Sequence, residues 1–87
     1  MNIDFTGPVM PLPDGGISCR VMCDGQKIAC WFTWEALQDV DPQYTRLEPM
    51  EQFEASRDQL LGIAREKIER GSVVNGVVEI TREDCVH

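Results

Sequence analysis

Two alternating stretches joined by an Asp-Gly turn constrain the fold of this chain more than any other feature. Apolar residues occupy every second position in residues 17–23 and again in residues 28–32. Between these stretches, Asp24-Gly25 is a strong hairpin signal, because glycine tolerates the positive φ of a tight turn. A two-residue loop there predicts an antiparallel hairpin with all its apolar residues on one face. The facing pairs are Val21 with Ile28, Cys19 with Cys30, and Ile17 with Phe32.

A second stretch, Pro49 to Arg70, predicts one long helix that packs against this hairpin. Its apolar residues fall within an arc of roughly 100° on a helical wheel. They are Met50, Phe53, Leu60, Leu61, Ala64 and Ile68. Pro49 suits the first turn of a helix, and Gly71 suits its left-handed end.

The segments before and after the hairpin predict shorter elements. Ile3 and Phe5 alternate with polar neighbours and indicate an edge strand. Residues 7–16 contain three prolines and three glycines, so we expect an ordered loop there. Thr33 is a suitable N-cap for a short helix from Trp34 to about Val40. Asp41-Pro42 should end that helix, and Tyr44 and Leu47 are expected to anchor the connection to the long helix.

The last part of the chain predicts a closing strand. Asn75-Gly76 is a turn signal between residues 73–74 and 77–80. In the second of these segments, Val78 and Ile80 should point inward and Glu79 outward. Thr81 and Asp84 have the spacing of a capping box and indicate a final helical turn.

Together these elements predict an α+β fold in a single domain, residues 1–87. We expect a mainly antiparallel sheet of three to four strands with one long and one short helix packed on one face. The formal net charge of −7 argues against nucleic-acid binding, which needs clustered Lys and Arg. No apolar run approaches the ~20 residues that span a membrane, and residues 1–5 do not resemble a secretion signal, so we expect a cytoplasmic protein.

Several short motifs together resemble a known family. They are Gly25-Gln-Lys-Ile28-Ala-Cys30, Glu35-Ala36-Leu37, Phe53-x-x-x-Arg57-x-x-Leu60-x-x-x-Ala64, Asn75-Gly76-Val-Val and Asp84. On these motifs, which run over most of the chain, it resembles a small bacterial family classified as a domain of unknown function, DUF1488. The resemblance implies an α+β fold with a small antiparallel sheet, two helices and a closing strand. It implies no activity.

Arg57 is the most informative charged residue, because it interrupts the apolar stripe of the long helix. A charge there must pair, bind backbone carbonyls or extend to water. One interpretation is a structural ion pair with Glu35, Asp39 or Asp84. The other is a small-ligand site in which the guanidinium binds an anion such as a carboxylate or phosphate.

The four cysteines are expected to be small buried apolar residues. Two alternatives stay open at this point. Cys19 and Cys30 could form a disulfide across the hairpin, which a reducing compartment opposes. A zinc site from Cys19, Cys30, Cys85 and His87 is conceivable, but no Cys-x-x-Cys pair supports it. We therefore predict no metal and no cofactor.

Catalysis has little support in the sequence. The only histidine is His87, at the last position, where chain ends fray. A Cys85–His87 pair would lack the fixed geometry that nucleophilic catalysis needs. We predict no catalytic residues and no enzyme activity.

Trp31 is the main candidate for a partner-binding residue. In the hairpin register it lies on the face opposite Cys30, together with Met22 and Ala29. Exposed Trp and Met are typical of partner surfaces, although the Pro-rich loop could instead cover them. The favoured hypothesis is a non-catalytic interaction or accessory module that binds a protein partner or a second copy of itself. The alternative is an anion sensor that uses Arg57.

Overall fold

A computed structural model describes residues 2–5, 7–40 and 47–85. In this part of the chain, five strands in one mixed sheet and four helices form an α+β fold, which confirms the predicted class. The strands are β1 (Ile3–Asp4), β2 (Val9–Pro11), β3 (Ile17–Cys23), β4 (Gln26–Phe32) and β5 (Val77–Ile80). The helices are α1 (Trp34–Val40), α2 (Pro49–Ala55), α3 (Arg57–Glu69) and α4 (Arg82–Cys85).

The β3–β4 hairpin has the predicted register. Cys19 faces Cys30 on the neighbouring strand. On either side of this pair, Val21 faces Ile28 and Ile17 faces Phe32. Asp24 and Gly25 form the two-residue turn with φ values of 51° and 84°. Positive φ at both positions matches the right-handed twist of the flanking strands. The turn and the apolar pattern therefore specify the same register.

The sheet has more strands than the sequence predicted, because residues 7–16 are not only a loop. Within them, β2 pairs antiparallel with β3, next to the predicted edge strand β1. The three prolines concealed this strand, since proline disfavours central strands. An edge strand tolerates proline, because the missing N–H can face away from the sheet.

The last strand makes the sheet mixed rather than only antiparallel. The strand order is β1-β3-β4-β5, and β5 runs parallel to β4. Asn75 and Gly76 do form a turn, with φ values of 54° and 75°, but it joins only Val74 to Val77. Helices α1, α2 and α3 connect β4 to β5, and a crossover of this kind allows parallel pairing.

The predicted long helix is two helices, α2 and α3, separated at Ser56. The Ser56 amide donates to the carbonyls of Gln52 and Phe53, with φ −116° and ψ 21° at the break. The apolar spacing stays in phase across the break, so periodicity alone could not reveal it. The end at Gly71 is confirmed: Gly71 donates to Ile68 and Ser72 to Lys67, the two bonds of a Schellman motif.

Two smaller predictions about helix starts are also confirmed. The Ala36 amide donates to Thr33 Oγ1 over 3.2 Å at the start of α1. The Thr81 amide donates to Asp84 Oδ2 over 2.8 Å before α4. Asp41-Pro42 and Tyr44 lie outside the described residues. Leu47 is exposed, so the prediction that it anchors the connection is wrong.

The core lies between one face of the sheet and the helices. Phe32 of β4 and Phe53 of α2 meet edge to face at its centre, with ring centroids 5.4 Å apart. Leu60, Ala64 and Ile68 of α3 are buried in the same core, as the apolar stripe predicted. Every second residue of the strands therefore points to the helices, and the others point to the opposite side.

Candidate interaction surface

The sheet face that points away from the core is the main candidate site, and we call it the open face. In the described part of the chain, the helices pack on the other face. The alternation of β3, β4 and β5 and the pairing register assign its residues. They are Asp4, Met10, Ser18, Arg20, Met22, Lys27, Ala29, Trp31, Val77 and Glu79.

The three residues predicted to form a partner surface lie together on the open face. Trp31 and Ala29 are two residues apart on β4. Met22 lies on β3, opposite Lys27 of β4. Trp31 keeps 41% of its surface exposed, while Met22 and Ala29 are half-buried. The predicted placement of these side chains on one face is confirmed, and their role as a partner surface stays a prediction.

The Pro-rich loop borders Trp31 but leaves it accessible. Leu12, Pro13 and Asp14 line a shallow cleft with the indole. The backbone of the loop is held by hydrogen bonds between Leu12 and Gly16 and by the Asp14 carboxylate, which accepts from the Gly16 amide. The loop thus extends the open face beside Trp31.

Sequence reasoning missed two apolar members of this surface, Met10 and Val77. Met10 is 59% exposed and lies on β2, which had been predicted as loop. Val77 lies beside Ala29 on β5. Both could be found only once the strand pairing was known. A second exposed indole, Trp34, packs against Gly15 from the start of α1 and is not one of the open-face residues.

Both edges of the sheet are poor places for an additional strand. On the β5 edge, Val74 exchanges two backbone hydrogen bonds with Val77, of 2.8 and 3.0 Å, and Lys67 Nζ donates to the Glu79 carbonyl. On the other edge, β1 and β2 have only two and three residues, and Pro11 of β2 supplies no N–H. Short strands and prolines are common means of preventing edge pairing.

Arg57 has a different environment from the one predicted. It lies at the start of α3, about one-third exposed, with its guanidinium 3.0 Å from Glu54. It also lies over the Phe53 ring. Two of the three carboxylates proposed as partners are engaged elsewhere: Asp39 Oδ2 lies 2.6 Å from Arg82 and Asp84 Oδ2 lies 2.7 Å from Lys67. The anion-site hypothesis stays a prediction, and an anion at this position would share the guanidinium with the Glu54 carboxylate.

The better-buried ion pair is Lys67 with Asp84, which the sequence did not identify. Lys67 Nζ bridges the Asp84 carboxylate and the Glu79 carbonyl, so it ties α3 to β5 and α4. Burial raises the pKa of Asp84, but hydrogen bonds from Lys67 and Thr81, together with the Lys67 charge, outweigh it. The pKa of Asp84 is therefore held below its usual value.

All four cysteines are buried with free thiols. Burial, with a smaller effect of Cys19, raises the pKa of Cys30 to about 12. Burial raises the pKa of Cys85 to about 11, helped by Asp84 and Asp39. A thiol must lose its proton to act as a nucleophile or metal ligand, so these environments favour inert apolar residues. His87 lies outside the described residues.

Comparison with known proteins identifies the family. A family model described as "Protein of unknown function (DUF1488)" matches residues 3–79. The chain belongs to the DUF1488 family. No curated protein and no solved structure matches it. The family match confirms the resemblance inferred from the short motifs.

The described residues contain neither a helix that could span a membrane nor a cluster of metal-ligating side chains. None of the helices in residues 2–5, 7–40 and 47–85 is long and apolar enough to cross a membrane. Over the same ranges, no group of three or more His, Cys, Asp or Glu side chains could hold a metal ion.

Proposed function

We propose that this DUF1488 protein is a non-catalytic interaction module that binds a protein partner through the open face. One observation carries the proposal: the described helices cover one face of the sheet, and the other presents an accessible Trp31. The half-exposed Trp31 side chain, next to the end of β4, lies outside the core cluster, so core packing does not explain its size. The indole does supply the large, rigid contact area typical of protein interfaces.

The composition of the open face supports the same proposal. Trp31, Met10 and Met22 belong to the residue types enriched at interfaces. They are accompanied by Ala29 and Val77, which are small enough to let another surface approach closely. The charged residues Arg20 and Glu79 lie directly beside Ala29 and Trp31, and such a mixture of apolar and polar surface is typical of non-obligate interfaces.

Site-specific photocrosslinking tests this function. A photoreactive phenylalanine analogue at position 31, expressed in the cells that naturally make the protein, should give a discrete crosslinked protein product on irradiation. The matched control places the same analogue at Gln59, which is exposed on α3. A product at position 31 and not at position 59 supports the proposal. No product at position 31, or the same products at both positions, would contradict it.

A further inference from the structure

We propose that the partner of the open face is a second copy of this chain, so that two sheets stack face to face in a weak homodimer. This inference rests on the proposed function, since it identifies the occupant of the same surface. Three observations support it: the blocked sheet edges, the charge of the open face, and the arrangement of Lys27 and Trp31. The area of the open face sets the strength that we expect.

Because both edges of the sheet are blocked, we expect association through the open face. Homodimers of small β-containing proteins can form by pairing edge strands, which needs a row of unpaired N–H and C=O groups. Here Val74 and Lys67 occupy such groups on β5, and the opposite edge has only the short strands β1 and β2. A second copy therefore meets the open face more readily than a sheet edge.

The charges of the open face are compatible with a second copy of this chain as the partner. Asp4 and Glu79 are balanced by Arg20 and Lys27, so the face is neutral, and the whole formal charge of −7 lies elsewhere on the chain. A strongly basic partner would be attracted to the acidic remainder instead. Two identical acidic molecules repel each other least when their neutral faces meet and their negative charge points outward.

The area of the open face sets the expected strength of the dimer. Four neighbouring strands about 4.8 Å apart, and up to seven residues long, give a footprint of roughly 450 Å². Two such faces bury about 900 Å², below the ~1,200–2,000 Å² of stable complexes. We therefore expect a dimer that dissociates on dilution through the micromolar range.

The positions of Lys27 and Trp31 suit twofold symmetry. Both lie on the open face of β4, four residues apart, with Ala29 midway between them. In a twofold interface, if one residue contacts another, the reverse contact also exists. When the two β4 strands run antiparallel about Ala29, each Lys27 lies over Trp31 of the second copy and beside its Glu79. The same arrangement brings the two Arg20 side chains, which lie opposite Ala29 on β3, near each other, and this like-charge contact is a further reason to expect a weak dimer. The small Ala29 side chain permits close approach at the axis, and the ammonium groups gain cation–π contacts.

Sedimentation equilibrium over a wide concentration range tests the dimer. Wild-type protein should pass reversibly from the mass of one chain to that of two. Lys27→Glu and Trp31→Ser should each weaken association by at least about tenfold, because each removes one member of the cation–π pair. Arg70→Glu makes the same charge change at the end of α3, outside the open face, and should leave association unchanged. Circular dichroism verifies that each variant is folded.

A fluorescence measurement reports on the face itself. In a Trp34→Phe background, Trp31 is the only indole, and its emission should shift to shorter wavelength as concentration rises and water is excluded from it. A wild-type protein that stays monomeric throughout overturns the dimer proposal. So does equal weakening by Lys27→Glu and Arg70→Glu, or association without any shift in Trp31 emission.

The two proposals can fail separately. If the purified protein is monomeric but the photocrosslinked product at position 31 has the mass of a complex with a different protein, the dimer is wrong and the interaction module stands. If no crosslinked product forms at position 31, the proposed function is wrong as well.

Discussion

The two faces of the sheet are made from the same strands but have opposite environments. On β4, Cys30 and Phe32 have no exposed surface, while Trp31 between them keeps 41% of its surface exposed. The covered face meets α2 and α3, so its side chains are fixed by packing on both sides. The open face also has apolar residues, but none of the described helices covers it. This difference indicates that stability comes from the covered face and that the open face is available for binding.

The strongest test of this comparison substitutes two adjacent residues. Phe32→Ala should lower the free energy of unfolding by about 3–5 kcal/mol, because it leaves a cavity against Phe53. Trp31→Ala should lower it by only about 1 kcal/mol, because Trp31 lies outside the core cluster and 41% of its surface is already exposed. Urea unfolding followed by far-UV circular dichroism measures both values.

A more conservative variant keeps the test informative if Phe32→Ala does not fold. Phe32→Leu preserves most of the volume and should cost about 1 kcal/mol. The comparison fails if Trp31→Ala destabilises the protein as much as Phe32→Ala does. In that case Trp31 would be a structural residue, and its exposure would no longer support a binding function for the open face.

The next test compares two ion pairs on the covered side. Lys67→Met should lower the free energy of unfolding by about 2 kcal/mol, because it removes the donor shared by Asp84 and the Glu79 carbonyl. Arg57→Met should cost no more than about 0.5 kcal/mol, because its pair with Glu54 is solvent-exposed. Thermal unfolding at neutral pH ranks the two variants, and equal losses would contradict this assignment.

The pH dependence of stability gives the Lys67–Asp84 pair an independent signature. The pKa of Asp84 in the folded protein lies below its ordinary value of 3.8. Its ionised form therefore stabilises the fold above pH 3.8, and this stability is lost as the pH falls through the lower, folded-state pKa. Unfolding free energies measured from neutral pH to below that range should decline less steeply in Lys67→Met than in wild type. Parallel curves would show that Lys67 does not perturb Asp84.

The parts of the fold that the sequence predicted are those in which independent signals agree. The Asp24-Gly25 turn and the period-two pattern specify one hairpin register, which in turn placed Trp31, Ala29 and Met22 on the open face. Gly71 ends α3 where the apolar stripe ends. In these places local conformation and side-chain pattern carry the same information.

The features that the sequence did not predict depend on contacts between different elements, or on the tolerance of an edge strand for proline. Strand β2 contains Pro11 and exists because β3 offers it an edge, which no local propensity indicates. The break at Ser56 leaves the apolar spacing unchanged, so a single helix fits the pattern equally well. Arg57 pairs with the nearby Glu54 rather than with a distant carboxylate, and that choice depends on how α2 meets α3.

The outer side of α3 offers the smallest and most specific test, because it belongs to neither face of the sheet. Gly62 lies inside this helix, exposed, with no atom within 4 Å of where a β-carbon would be placed. Gly62→Ala should therefore raise the free energy of unfolding by about 0.5–1 kcal/mol, since alanine restricts the unfolded chain and favours the helix. The matched control is Gly71→Ala, which has equal space but a φ of +79° and should lose about 1 kcal/mol. If Gly62→Ala were destabilising or strengthened self-association, the outer side of α3 would be a contact surface, and the open face would not be the only candidate for partner binding in the described part of the chain.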